Sequence, residues 1–152
     1  MPRNTEQDNQ NKFRAVVELV RGIQPYYRSA DASAQQLIET TIGAAIFYLP
    51  SNKSRLWSGM ISESLRDLDR SQWCADHMYP RKVSAMKLLG IDWSKIADPA
   101  QFLSDLYYSE LGRFHYVTKQ ENARLKHYQD PSRFKDPQQA YKDCGITLVS
   151  ER

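Results

Sequence analysis

The sequence predicts a mainly helical α+β protein, and three observations carry that expectation. Apolar residues recur at helical spacing through the first 70 residues, as in Phe13, Val16, Val17 and Val20. Two short runs, Gln72–Ala75 and Phe114–Val117, have the aromatic and apolar character of strands. Capping and breaking residues (Gly90, Asp98-Pro99, Gly112, Asp136-Pro137, Gly145) cut the second half into short elements.

Taken in order, residues 1–10 are polar and aperiodic, so a disordered tail is expected there. A first helix follows from Asn11 to about Ser29, with Pro25 expected to bend or end it. Asp31 or Ser33 can cap a second helix, whose apolar stripe is Leu37, Ile38, Ile42, Ala45, Ile46 and Leu49; Pro50 stops it. A third helix is expected over Ser54–Leu68, from Leu56, Trp57, Met60, Ile61, Leu65 and Leu68. Residues 11–70 therefore read as a helical scaffold.

At Ser71 the pattern changes. Gln72–Ala75 reads as a strand that delivers Asp76 and His77 at its end. Arg81–Leu89 reads as a helix closed by Gly90. Asp98 and Pro99 open another, running to about Leu111. After the strand at Phe114, Thr118-Lys-Gln-Glu121 is a capping box that places Asn122 in the first turn of the next helix. A short helix from Pro137 and a last strand over Ile146–Val149 complete residues 131–152, all within one compact domain.

The composition excludes several classes. No apolar run approaches the roughly 18–20 residues that span a bilayer. The N-terminus has no apolar stretch of the secretory kind, so none is expected to be exported. Two isolated cysteines, Cys74 and Cys144, make neither a disulfide framework nor a zinc site, which fits a reducing cytoplasmic setting. The net charge is only +3, but between Leu111 and Lys135 six basic residues meet Glu121 and Asp130, a local net of +4 that suits a polyanion or a solvated helix face.

Two segments carry chemistry: Asp76-His-Met-Tyr-Pro-Arg-Lys82, and Gly112-Arg-Phe-His-Tyr-Val-Thr-Lys-Gln-Glu-Asn122. Phosphodiester hydrolysis needs an activated water and a sink for transition-state charge. Asp and Asn offer hard oxygens suited to Mg²⁺, and a neutral imidazole can accept the proton of water.

These two segments resemble the finger of the HNH, or ββα-metal, nucleases, over roughly Trp73–Gln129. The resemblance implies two strands and a helix gripping one divalent ion, Mg²⁺ or Mn²⁺, and a DNA endonuclease activity. It implies that Asp76 and Asn122 are the metal ligands and His77 the general base. The family's middle residue falls on Arg113, with His115 two places on as a substitute by type to support the His77 loop. The spacer between Pro80 and Gly112 is long, implying an inserted helical pair that lies against the N-terminal helices.

Arg81, Lys82, Arg113 and Lys126 are the candidate phosphate contacts; each also reads as an ordinary solvated cation. Trp73, Tyr79, Trp93, Phe102, Tyr107, Tyr108, Phe114 and Tyr116 read as core rather than as base-stacking platforms. Two alternatives stand beside the nuclease: a nucleic-acid-binding module of the same fold that does not cut, and a helical interaction protein. A homodimer through the N-terminal helices and the absence of any membrane partner complete the expectations.

Overall fold

The computed structural model describes residues 6–151, and over them the chain is a mainly helical α+β protein with one small mixed sheet. It forms two compact units. One takes the chain up to Ser51 together with Arg81–Ser109; the other takes Asn52–Pro80 with Glu110 onward. A single domain was expected, and the division arises because the helical insertion belongs with the N-terminal helices.

In the first unit, α1 (Glu6–Ser29) buries Phe13, Val16, Val17 and Val20 along one face. Of the expected disordered tail, residues 1–5 lie outside the described residues, and Glu6–Gln10 are the first turns of α1. Pro25 does not end the helix, which runs on to Ser29. Gln24, 8% exposed, donates to the carbonyls of Leu89 and Ile91 at 2.8 and 2.7 Å, which ties α1 to the end of a later helix. Helix α2 (Ala32–Phe47) is capped by Asp31, whose carboxylate accepts from Ala34 N–H.

After α3, a single turn (Lys53–Leu56), and the strands β1 (Trp57–Ser62) and β2 (Trp73–His77), the chain returns to the first unit as α4 (Arg81–Leu89). Gly43 on α2 sets the α2–α4 crossing: a Cβ there would stand 3.2 Å from the Arg81 carbonyl oxygen and 3.3 Å from its Cβ. Helix α5 (Pro99–Leu106) has Asp98 as its cap and continues through a π turn, Tyr107–Leu111. Phe13 meets Tyr107 and Tyr108 at 5.7 and 6.0 Å between ring centroids, which closes α5 onto α1.

The second unit holds the sheet, with strand order β2-β3-β1-β4, where β3 is Phe114–Thr118 and β4 is Leu148–Ser150. β2 and β3 are antiparallel in register Asp76↔His115 and His77↔Phe114; β1 runs parallel to β3, and β4 antiparallel to β1. Helix α6 (Lys119–Tyr128) leaves β3 directly, and α7 (Pro137–Asp143) follows. Val117, Leu125, Tyr141 and Ile146 form the core between sheet and helices.

Strand β1 corrects the helix expected over Ser54–Leu68. Leu56, Trp57, Met60 and Ile61 fit a helical period, but Gly59 adopts φ +79°, and the backbone is paired on both sides, by β3 and β4. Tertiary pairing therefore overrides the local pattern, and residues 11–70 are not one helical block. Among the described residues no helix is long and apolar enough to cross a membrane.

Candidate functional site

Alternation along β2 decides where the two central residues point. Cys74 and Asp76 share the sheet face of Val117 and His115, which α6 and α7 cover. Trp73 and His77 share the opposite face with Phe114 and Tyr116, where the rings form a ladder: His77–Phe114 at 6.1 Å, Phe114–Tyr116 and Tyr116–Trp73 at 5.3 Å. The carboxylate and the imidazole, adjacent in sequence, thus leave the strand end on opposite sides.

Asp76 is 5% exposed, with one hydrogen bond on each carboxylate oxygen. One oxygen accepts from the Gln129 amide at 2.8 Å, and the other accepts the Tyr141 hydroxyl. Burial pushes its pKa above the ordinary carboxylate value, and the bonds from Tyr141 and then Gln129 oppose that rise without cancelling it. Tyr141, 4% exposed, is pushed up in turn, first by burial and then by the neighbouring Asp76 charge. An Asp76→Ala change would leave a buried phenol and an amide without their acceptor.

Asn122 lies in the first turn of α6, half-buried, with no hydrogen bond to its amide among the described residues. The helix is held at this end by the expected capping box. Thr118 Oγ accepts Glu121 N–H at 3.1 Å, and the Glu121 carboxylate accepts Thr118 N–H at 2.9 Å and the Ser62 hydroxyl at 2.7 Å. Burial works against ionisation of Glu121, yet these bonds outweigh it and hold its pKa below the usual value. Gln129 follows Asn122 by seven residues, hence on the same helix face about 10 Å further along the axis. The Asp76 carboxylate is thus held at the Gln129 end of α6, about 10 Å along the axis from the turn that carries Asn122.

The remaining candidates separate. Arg113 supports the His77 turn through its backbone, its carbonyl accepting Met78 N–H at 2.9 Å. His115 is not beside His77; it is 7% exposed on the Asp76 face, its ring 5.3 Å from Tyr141 and its Nδ1 bonded to Ser58 Oγ. Burial and then the Arg113 charge lower its pKa to about 4, so it is neutral at pH 7. Support of the His77 loop thus passes to the Arg113 carbonyl.

Lys82 pairs with Glu39 at 3.3 Å, and that nearly buried carboxylate also accepts from Tyr27. Arg81 sits over the Phe47 ring at 4.0 Å. Both belong to the helical unit. Lys126 is exposed and, with His127, Asp130, Ser132 and Arg133, lines a shallow basic hollow in which the Arg133 guanidinium touches the His127 imidazole.

Sequence reasoning did not find Gln129, Tyr141 or Ser58. Gln129 carried a usable signal, its spacing from Asn122. Tyr141 and Ser58 lie 65 and 57 residues from the groups they bond, and nothing local marks them. Among the described residues no group of three or more His, Cys, Asp or Glu side chains is placed to hold a metal ion. Cys74 and Cys144 are both free thiols.

Compared with protein-family models, with curated proteins and with solved structures, the chain matches none.

Proposed function

We propose that the chain is a metal-dependent DNA endonuclease of the HNH type, working in the reducing cytoplasm. One arrangement supports this reading: an antiparallel strand pair followed without a break by a capped helix, with Asp76 turned toward that helix and His77 at the strand end. That is the ββα arrangement the sequence resemblance implies.

The donor set fits a hard divalent ion such as Mg²⁺ or Mn²⁺. An ionised carboxylate has about four acceptor sites, and Gln129 and Tyr141 use two of those on Asp76. Asn122 offers its amide oxygen, which has no hydrogen-bond partner among the described residues. Asp76 and Asn122 would hold the ion, which when bound supplies the charge sink for the scissile phosphate. His77, which leaves the end of β2 on the side opposite Asp76, would accept the proton of the attacking water across that strand end. The Arg113 carbonyl holds the backbone that carries His77, and the exposed Lys126 contacts a flanking phosphate. In the same proposal the chain acts as a homodimer through the N-terminal helices, where Leu37 and Tyr48 stand 68% and 77% exposed.

A second reading, a binding module that does not cut, is favoured by the 5% exposure of Asp76 and by Arg113 at the family's middle position. Nicking of supercoiled plasmid with Mg²⁺ or Mn²⁺ separates the two. The nuclease requires nicking that EDTA abolishes and that His77→Ala lowers by about 10²–10⁴-fold while DNA binding stays. Salt-dependent DNA binding without nicking in either metal selects the module.

A further inference from the structure

On the Asp76 face of the sheet, within the second unit, lies an open groove of about 570 Å³, a volume within the usual range for small-molecule sites. Its walls are mostly apolar and include Met60, Met78, Ile146 and Leu148. Two polar groups matter in it: the His115 imidazole, 7% exposed, and the exposed Lys142 at the rim.

Ser58 is the hydrogen-bond partner of His115 in the groove wall. Ser58 Oγ accepts Met60 N–H at 3.1 Å and lies at hydrogen-bond distance from His115 Nδ1. In the tautomer where Ser58 donates to Nδ1, the neutral ring carries its proton on Nε2. Nε2 has no partner among the described residues, and the ring lines the groove. A nearly buried side chain thus turns a donor into a mostly apolar groove, where an occupant that covers it without accepting its hydrogen bond would bind at a penalty.

The chemistry of an occupant follows. A plain hydrocarbon would fill the walls but strand the Nε2 donor. A flat ring with an acceptor on its edge satisfies both, and thioethers such as Met60 and Met78 pack well against aromatic rings. Lys142 adds a cation where an anionic group would emerge. We propose that this groove binds a nucleotide, its base between the methionine walls with a ring acceptor on His115 Nε2, and its phosphate on Lys142. This deepens the nuclease reading and rests on it for the choice of nucleotide. The base can come from a free mononucleotide or from a nucleic-acid strand, and the same contacts serve either.

The test is a titration of His77→Ala protein, which leaves cutting aside, followed by methionine-methyl NMR. The probes are the four 5′-deoxymononucleotides and a single-stranded DNA 12-mer. Saturable shifts at Met60 and Met78, weakened about tenfold in Lys142→Glu, support the groove. Shifts with mononucleotides alone assign a free nucleotide, and shifts with the 12-mer alone assign a base from a strand. No shift with any probe, or equal affinity in Lys142→Glu, overturns the proposal. Lys142 is exposed on α7, so that variant is expected to fold; His115→Phe, which removes the donor, is the second variant. Binding retained while wild-type protein fails to nick plasmid would remove the nuclease reading alone. Nicking without nucleotide binding would remove the groove alone.

Discussion

Replacing Tyr141 with Phe removes one oxygen from the buried Tyr141–Asp76–Gln129 hydrogen-bond chain of the sheet unit. The phenol is 4% exposed and donates to Asp76, so the change strands one carboxylate oxygen while the ring keeps its place beside His115. A hydrogen bond to a charged group contributes about 1.5–3 kcal/mol. In a chain of this length each kcal/mol moves the melting temperature by about 2–4 °C, so a fall of roughly 3–12 °C is expected where Asp76 is ionised. The bond lowers the Asp76 pKa, so its loss pushes that group further up. The difference between the two proteins is therefore largest where Asp76 is ionised and shrinks toward that of a neutral hydrogen bond, about 1 kcal/mol, in acid. Thermal melts of both proteins from pH 4 to pH 8 measure this. A melting temperature within 1 °C of wild type at pH 7, or a difference that grows toward acid, would show that the Tyr141–Asp76 bond is not what holds the carboxylate in place.

Asp76→Asn keeps an acceptor for Tyr141 but removes the buried charge. Because the folded pKa of Asp76 is raised, its contribution to stability is complete below about 3.8 and is lost as pH rises through the folded value. The Asn variant should lack that loss and gain on wild type between pH 4 and pH 7; a parallel pair of stability curves would contradict the shift. Gly43→Ala sets a Cβ 3.2 Å from the Arg81 carbonyl oxygen at the α2–α4 crossing; overpacking against backbone of about 1–3 kcal/mol, offset by roughly 0.5–1 kcal/mol of helix propensity, should leave a net loss of up to about 2 kcal/mol in chemical denaturation. Thr118→Ala breaks one arm of the capping box and should cost about 1 kcal/mol. That loss should be accompanied by faster amide exchange at Glu121, and unchanged exchange there would argue against the cap.

The local elements were legible where a single residue type settles the backbone. Asp31, Asp98, Thr118 and Asp136 each cap the helix that follows them. Gly90 closes α4, and Gly145, at φ +72°, lies just beyond α7. The β2–β3 pair and the capped α6 were also readable, because both strands are short and bounded by breakers. Of the two outcomes Pro25 offered, a bend or an end, the end does not occur: α1 runs on to Ser29, tied by the packing of Val20 and the bonds of Gln24. The site was legible as a list of residue types but not as a set of neighbours. Arg81 and Lys82 look like phosphate clamps in sequence, yet Phe47 and Glu39 engage them in the fold.

By itself the sequence determined the capped helices and the short strands that carry Asp76, His77 and His115, because caps, breakers and strand-type runs act within a few residues. Only the tertiary structure decided that Trp57–Ser62 is a central strand, that Asp76 is buried under Tyr141 and Gln129, and that His115 opens into a groove. Those outcomes depend on backbone pairing and side-chain burial between segments more than fifty residues apart. No local pattern encodes such separations, and the free energy that selects them is released only when the sheet closes.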